Sequence, residues 1–593
     1  MPQPELTENA LEVLESRYLR RDPDGRVVEA PTEMFERVAR GVAHAELLLG
    51  SRSQAEQWED IFLEMLQSLD FLPNSPTLMN AGTPLGQLSA CFVLPVHDTT
   101  EAIFDALKHL ALIQRTGGGT GFSFSDLRPS SDVVSSTGGR ASGPVSFMEI
   151  FDCATEHIRQ GGKRRGANMG VLRVDHPDIE AFIEAKHEEN RLGNFNLSVA
   201  VTDSFMNAVE GNQEYDLINP RTGEAAGSLR AGEVFAGICK AAWKTGDPGL
   251  LFLDSIGRRN PTPHVGNIQA TNPCGEVPLL PFESCNLGSI NLSRMVREES
   301  GRPRIDWGKL RSVTRKAVRF LDDVIVVNRY PIPELERMAR GNRKIGLGVM
   351  GFSDMLIRLG ISYDSDRAVG VAEAVMKAVS DEAFKASQAL AGERGVFENW
   401  KGSVYESRGV EVRNATRTAI APTGTIGILA GASPSIEPLF ALAYRRSHVL
   451  DGKTLYEVNP LLREYAGRLE MDVEDLVEKV RKTGSLSDAP GVPDSMKAVF
   501  VTALEIPFER HLQMQAAFQR QADNSVSKTV NLPQDASPED VRRVYRRAWE
   551  LGLKGITVYR YGSRSSQVLE LGAGERSYHY DHAARCDPEE CKV

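Results

Sequence analysis

The chain has 593 residues, and its 41% hydrophobic and 25% charged content, with scattered glycines, is the composition of a globular protein able to bury more than one core. Collagen-like and disordered readings are excluded, and seven cysteines are too few for a disulfide scaffold. A formal charge of −11, from 69 basic and 80 acidic residues, argues against a general nucleic-acid coat and points to small molecules or proteins as partners.

The first residues, MPQPELTENALEVLESRYLRRD, show no apolar core behind a basic start, and no apolar run approaches the roughly 18 residues of a membrane span. A cytoplasmic enzyme with no membrane partner is the expectation. Helices are predicted near 7–20 and 34–49. From Trp58, apolar residues at Ile61, Phe62, Met65, Leu66 and Leu69 repeat with the period of a helix burying one face. Residues 1–70 are therefore read as a helical N-terminal region, too short and too dissimilar to be a separate nucleotide-binding regulatory domain.

Short apolar or alternating runs follow at 90–96, 120–127, 194–202, 285–292, 344–352, 418–426 and 555–560, with longer helical patterns at 308–325 and 365–393. Strands alternating with helices predict an α/β layer or barrel over 71–565. The last residues, 566–593, lose periodicity and read as a mobile tail containing Cys586 and Cys591.

The stretch TNPCGEVPLLPFESCNLGSINL (271–292) concentrates the chemistry. In an extended segment Asn272, Cys274 and Glu276 would point to one side, converging an amide, a thiol and a carboxylate on one ligand. The alternative is a loop in which Asn272-Pro273 begins a turn and Cys274 is a small hydrophobe. Cys285 follows, and Cys91 stands at the start of another predicted strand, so the two could face each other across a barrel interior as a reversible dithiol. Cys153 and Cys239 lie in helical surroundings and read as core residues.

Two glycine-rich stretches lack the standard fingerprints. APTGTIGILAGASPSIEP (421–438) exposes backbone N–H groups after a short strand, as phosphate sites do, without a Walker A ending. TGGGTGFSF (116–124) has Phe122 where a dinucleotide loop needs its third glycine, although Gly119 suits close backbone approach to a ligand.

Taken together, NPCGE, ESCNLGSINL, SACFVLPVHD, GGKRRGANMG, APTGTIG, SVSKTVNLP and GITVYRYGSR resemble, in order and from about residue 5 to 570, a class II (adenosylcobalamin-dependent) ribonucleotide reductase. The resemblance implies a ten-stranded α/β barrel in two five-stranded halves, with Cys274 on a loop inside it. It implies adenosylcobalamin as cofactor, cobalt–carbon homolysis giving a deoxyadenosyl radical, and a thiyl radical on Cys274 that takes the substrate's 3′ hydrogen. By the same resemblance Glu276 accepts the 3′-hydroxyl proton and Asn272 holds the ribose hydroxyls. Cys91 and Cys285 then supply the electrons and end as a disulfide.

Further positions are carried over motif by motif. Ser75, Ala90, Cys91, Gly119, Pro273, Gly275 and Pro422, Thr423, Gly424, Thr425 and Ile426 are implied around substrate and its phosphates. Asp98 and Arg128 are implied as effector-binding, Asp98 on a deoxyribose hydroxyl and Arg128 on phosphate. Asp98 could equally cap the helix that begins at TTEAIF. The segment 188–196 resembles the loop that relays effector identity to the substrate base. Cys586 and Cys591 are implied as a thiol shuttle fed by a thioredoxin or glutaredoxin-type reductant, the alternative being a zinc site with His579 and His582. No metal beyond the corrin cobalt is expected.

Competing readings have distinct signatures. A class I large subunit takes its radical through adjacent tyrosines, whereas here Val558 precedes Tyr559; a glycyl-radical enzyme needs a C-terminal glycine loop that is not seen. A non-catalytic nucleotide sensor on this fold would not need Cys274, Glu276 and Asn272 together. The expectation is a homodimer acting on ribonucleoside diphosphates for DNA synthesis, with substrate choice set by dNTP effectors and no overall ATP/dATP switch.

Overall fold

The computed structural model describes residues 4–134, 138–158, 166–188, 191–450, 453–563 and 569–571. These form two compact units, one of residues 4–440 and 494–563, the other of residues 441–493 with 569–571. Among the described residues no helix is long and apolar enough to cross a membrane.

The first unit begins with helices. α1 (Glu8–Val13) is capped by Thr7 and runs into a π-helical turn, Leu14–Tyr18, so the predicted helix over 7–20 is broken rather than continuous. α2 (Pro31–Leu49) starts with proline at its first position, where a missing N–H costs nothing, and Glu33 accepts from the Ala30 N–H at 2.7 Å. α3 (Arg52–Gln67) is capped by Ser51 and buries Phe62, Leu63, Met65 and Leu66, the stripe its sequence period predicts. A buried ion network ties these helices to the rest of the unit. Glu46 on α2 takes Arg319 from the helix Trp307–Val327 and Arg394 from the end of the helix Asp366–Arg394, the latter at 2.6 Å.

Ten strands form one sheet: β1 (Phe71–Pro73), β2 (Cys91–Pro95), β3 (Gly119–Ser123), β4 (Asn168–Arg173), β5 (Phe195–Val201), β6 (Gly249–Phe252), β7 (Ser284–Asn291), β8 (Ile345–Met350), β9 (Thr529–Leu532) and β10 (Gly555–Arg560). β2, β3, β4, β5 and β6 are neighbours and all parallel. β7 and β8 are parallel, as are β9 and β10, and single parallel bridges Leu347–Thr418 and Ile420–Val526 carry the order between them. The two parallel halves meet through antiparallel pairs, β2 with β7 and β6 with β10, and so close a ten-stranded barrel. The run 418–426, predicted as one strand, contributes only those bridges before a short helix, Gly424–Ala430, takes over. β1, β4, β6 and β9 were not predicted: at three to six residues each they are too short for a period to stand out.

Period-2 alternation sorts the side chains onto two faces. Phe92, Leu94, Leu172 and Val199 join a large cluster with the covering helices, while Cys91, Val93, Val171 and Ala200 join a second cluster with Cys285, Val277 and Leu279. The covering helices include α5 (Thr100–Gln114) and α6 (Pro144–His157). Cys239 is buried as expected, but Cys153 on α6 is exposed, because it falls on the face that also carries Ile150 rather than on the Phe151 face.

The second unit contains the antiparallel strands Ala443–Leu450 and Lys453–Val458, with Leu569–Leu571 on the other side of the first, and two helices, Pro460–Arg468 and Val473–Thr483. The tail cysteines Cys586 and Cys591, with His579 and His582, lie outside the described residues.

Candidate active site

The segment 270–279 is a tight hairpin rather than an extended strand. Ala270–Thr271 pairs with Pro278–Leu279, and the residues between make a turn closed by the Gly275 N–H to the Asn272 carbonyl at 3.0 Å. Gly275 has φ +80°, a conformation glycine adopts without penalty. This corrects the expectation that Asn272, Cys274 and Glu276 project to one side. Asn272 and Glu276 are each 2% exposed, whereas Cys274 is exposed at the tip. The turn separates the buried pair from the thiol that a ligand can reach.

Small residues let this hairpin lie against the barrel wall. A Cβ on Gly121 would sit 1.8 Å from the Thr271 carbonyl oxygen, and one on Gly119 would meet the Pro273 ring at 3.0 Å. Close approach at Gly119 is thus to the Pro273 ring. From the barrel, Asn196 donates to the Pro273 carbonyl at 2.8 Å and the Ser525 N–H donates to the Glu276 carbonyl at 2.8 Å. Lys554, just before β10, donates at 2.6 Å to the carbonyls of Asp523 and Asn524, anchoring the segment that holds Glu276. Burial lowers the Lys554 ammonium to about 7. Lys554 was not singled out from sequence, and Asn196 entered only as the last residue of the segment 188–196, read there as an effector relay.

Cys91 and Cys285 stand directly opposite each other on the antiparallel neighbours β2 and β7. They are adjacent in the sheet, not facing across the barrel as the sequence suggested. Both are free thiols, 3% and 1% exposed. Gly346 on β8 makes room for the Leu287 side chain, whose Cδ2 would lie 2.4 Å from a Cβ there. The Asn272 amide donates to the Cys91 Sγ at 3.2 Å, and the same thiol reaches Glu276 Oε1 at 3.9 Å. Asn272 Oδ1 accepts from the Val277 N–H at 3.0 Å, which fixes its amide orientation.

Burial governs the protonation of this cluster. It pushes the Cys91 thiol well up, with Glu276, Cys285 and Cys274 adding to the effect, and pushes the Cys285 thiol up against the pull of Lys344. Both therefore hold their protons near neutral pH. Burial also raises the Glu276 carboxyl to about 7, only partly offset by hydrogen bonds from Asn272 and Cys91. Glu276 Oε2 is buried with no hydrogen-bond partner among the described residues, the position a ligand hydroxyl would fill.

The other positions fall into two places. Ala90 spends its N–H on the Cys285 carbonyl at 3.1 Å and its carbonyl on the Gly119 N–H at 2.8 Å, so its backbone is committed to the sheet. Ser75 opens the helix α4 (Ser75–Asn80), and Pro422 to Ile426 form the turn into Gly424–Ala430, with Thr423 at φ +53° and its hydroxyl accepting from the Ser435 N–H at 2.7 Å. Asp98 and Arg128 pair with each other, Nε to Oδ2 at 2.7 Å, and the Arg128 N–H also reaches Asp98 at 3.2 Å. Asp98 does not cap α5; that role belongs to Thr99, whose hydroxyl accepts from the Ala102 N–H at 3.1 Å.

Known proteins resemble this chain along nearly its whole length. Residues 4–86 match the ribonucleotide reductase all-alpha domain, and residues 89–411 and 407–559 match the ribonucleotide reductase barrel domain. The chain is 50% identical over 96% of its length to a vitamin B12-dependent ribonucleoside-diphosphate reductase of Thermoplasma acidophilum, covering 81% of that protein. A protein of the same description from Mycobacterium tuberculosis is 51% identical over 95% of this chain and 79% of its own length. A solved class Id ribonucleotide reductase alpha subunit of Actinobacillus ureae shares the fold, with a TM-score of 0.77 at 24% identity over 95% of this chain and 98% of that one. With both domains matched and relatives half identical over nearly its whole length, this chain belongs to the ribonucleotide reductase family, in its vitamin B12-dependent, class II branch.

Proposed function

We propose that this chain reduces ribonucleoside diphosphates to 2′-deoxyribonucleoside diphosphates for DNA synthesis by a thiyl-radical mechanism, with adenosylcobalamin as cofactor. The observation that carries the reading is the Cys91–Cys285 pair, directly opposed in the barrel wall and hydrogen-bonded through Cys91 to Asn272 and Glu276, beneath the exposed thiol of Cys274. The cofactor fits this donor set, because Cys274 is the one thiol of the cluster open to a bulky group. When bound, adenosylcobalamin supplies a carbon radical able to take hydrogen from a thiol.

The chain's own residues do the rest. Cys274, as a thiyl, takes the 3′ hydrogen of the ribose, while Glu276 accepts the 3′-hydroxyl proton and the Asn272 amide orients the sugar. The 2′-hydroxyl leaves as water with a proton from the dithiol. Overall, one ribonucleotide and two thiols give one deoxyribonucleotide, one water and the Cys91–Cys285 disulfide; the new C–H bond at carbon 2′ takes its hydrogen from the dithiol, and Cys274 returns the abstracted hydrogen to carbon 3′, becoming a thiyl again. Burial favours this assignment, since both reducing thiols are kept as S–H.

Other parts of the reading are supported more locally. Asp98 and Arg128 would separate to take a dNTP effector's deoxyribose and phosphate. A homodimer would cover exposed apolar side chains such as Phe104 on α5 and Ile150 on the neighbouring α6. Cys586 and Cys591 would pass electrons from a thioredoxin or glutaredoxin-type protein.

The test is conversion of a ribonucleoside diphosphate by the purified chain with dithiothreitol and a matching dNTP, with and without adenosylcobalamin. Turnover only with the cofactor is expected, and turnover independent of it would overturn the mechanism. A second expectation concerns pH. A carboxyl that must be ionised to accept a proton, and that titrates at about 7, makes kcat/KM rise as pH increases through neutrality and level off above. Glu276→Gln removes that rising limb along with most of the rate. A wild-type profile flat from about pH 6 to 8 would show that Glu276 is not the base.

A further inference from the structure

The N-terminal helical region reaches into the substrate site. α1 packs against the short helix Gly424–Ala430, and the π-helical turn that follows carries two side chains onto residues already placed around the substrate. Arg17 Nη1 donates to the Thr425 hydroxyl at 3.3 Å, and the buried Tyr18 shares a 2.7 Å hydrogen bond between its hydroxyl and that of Ser75. The Leu19 N–H returns to the Leu14 carbonyl at 2.9 Å, and this wider turn, a geometry common at functional sites, is what presents consecutive residues 17 and 18 to the same pocket.

Charge gives the contact its meaning. A diphosphate brings several negative charges, yet neither 71–82 nor 421–438 contains a lysine or arginine. The one charged residue there, Glu437, is occupied by Lys528 at 2.6 Å and by the Thr529 N–H at 2.8 Å. Behind the same loop the Ser435 hydroxyl is fully buried with no hydrogen-bond partner among the described residues. Hydroxyls and backbone N–H groups alone would have to bear the phosphate charge unless a cation arrived from elsewhere, and Arg17 is that cation.

We propose that Arg17 binds the terminal phosphate of the nucleoside diphosphate together with Thr425, and that Tyr18 positions Ser75 in the adjoining wall. This rests on the substrate reading above and adds the N-terminal region to the pocket. A planar guanidinium can grip two phosphate oxygens at once, which a lysine ammonium does less well.

The test is direct binding of CDP and of cytidine to the full chain, alongside CDP reduction, for wild type, Arg17→Ala, Arg17→Lys and Tyr18→Phe. Arg17→Ala is expected to weaken CDP binding by about tenfold to a hundredfold, the loss of a charge-assisted contact, while cytidine binding stays unchanged. In turnover the loss falls on KM far more than on kcat. Arg17→Lys recovers part of the CDP affinity, and Tyr18→Phe gives a smaller loss. Equal weakening of CDP and cytidine would mean a structural role and overturn the proposal, as would CDP affinity indifferent to Arg17. Arg17-dependent binding of CDP by a chain that never reduces it would instead sink the reductase reading and leave the phosphate pocket standing.

Discussion

Cys274→Ser is expected to abolish ribonucleotide reduction while leaving nucleotide binding intact. A serine hydroxyl holds its hydrogen too strongly to give it up to a carbon radical, so the exchange of one atom removes the step on which all later ones depend. The loss should be on the order of 10⁴-fold or more, as when one member of a set of groups acting as a unit is deleted. Structure should tolerate the change. Cys274 is exposed at the hairpin tip, and the turn is held by the Gly275-to-Asn272 backbone bond, by Asn196 on the Pro273 carbonyl and by Ser525 on the Glu276 carbonyl. Turnover and CDP binding measured on the same preparation check both halves. Measurable multiple turnover by Cys274→Ser would remove the thiyl role altogether.

The next largest effect is expected at the dithiol, and it should differ in kind. Cys91→Ser or Cys285→Ser leaves Cys274, Glu276 and Asn272 in place, so abstraction at the 3′ carbon should continue and appear as release of tritium from 3′-labelled substrate. Net deoxynucleotide should fall below about one equivalent per chain even with excess dithiothreitol, because no internal disulfide can form to close the electron balance. The two variants should behave alike, since the thiols are directly opposed across β2 and β7. One difference is expected: Cys91 also takes the Asn272 amide at 3.2 Å, so its loss should disturb substrate orientation more than loss of Cys285. Sustained turnover in Cys285→Ser would show that the reductant lies elsewhere.

Local sequence determined much of this molecule because its information is local. The stripe from Phe62 to Leu66 buries as its spacing requires, and the strands around Cys91, Phe195 and Ile345 follow from their apolar runs. Several short motifs in a fixed order marked the family, since each demands particular side-chain chemistry at a particular offset. Geometry set by distant contacts was not readable. Alternation in NPCGE suggested one shared direction, but the left-handed Gly275 and the wall at Gly121 fold the segment into a hairpin that buries Asn272 and Glu276 and exposes Cys274. Cys91 and Cys285 could have met across the barrel or along it. Only the antiparallel joint between its two parallel halves makes them neighbours, because register is a property of strand pairs and not of either strand. Arg17 is the plainest case: in the sequence it is one charged residue on an amphipathic helix, and only the π-helical turn, with α1 packed on Gly424–Ala430, carries its guanidinium to Thr425, more than four hundred residues away.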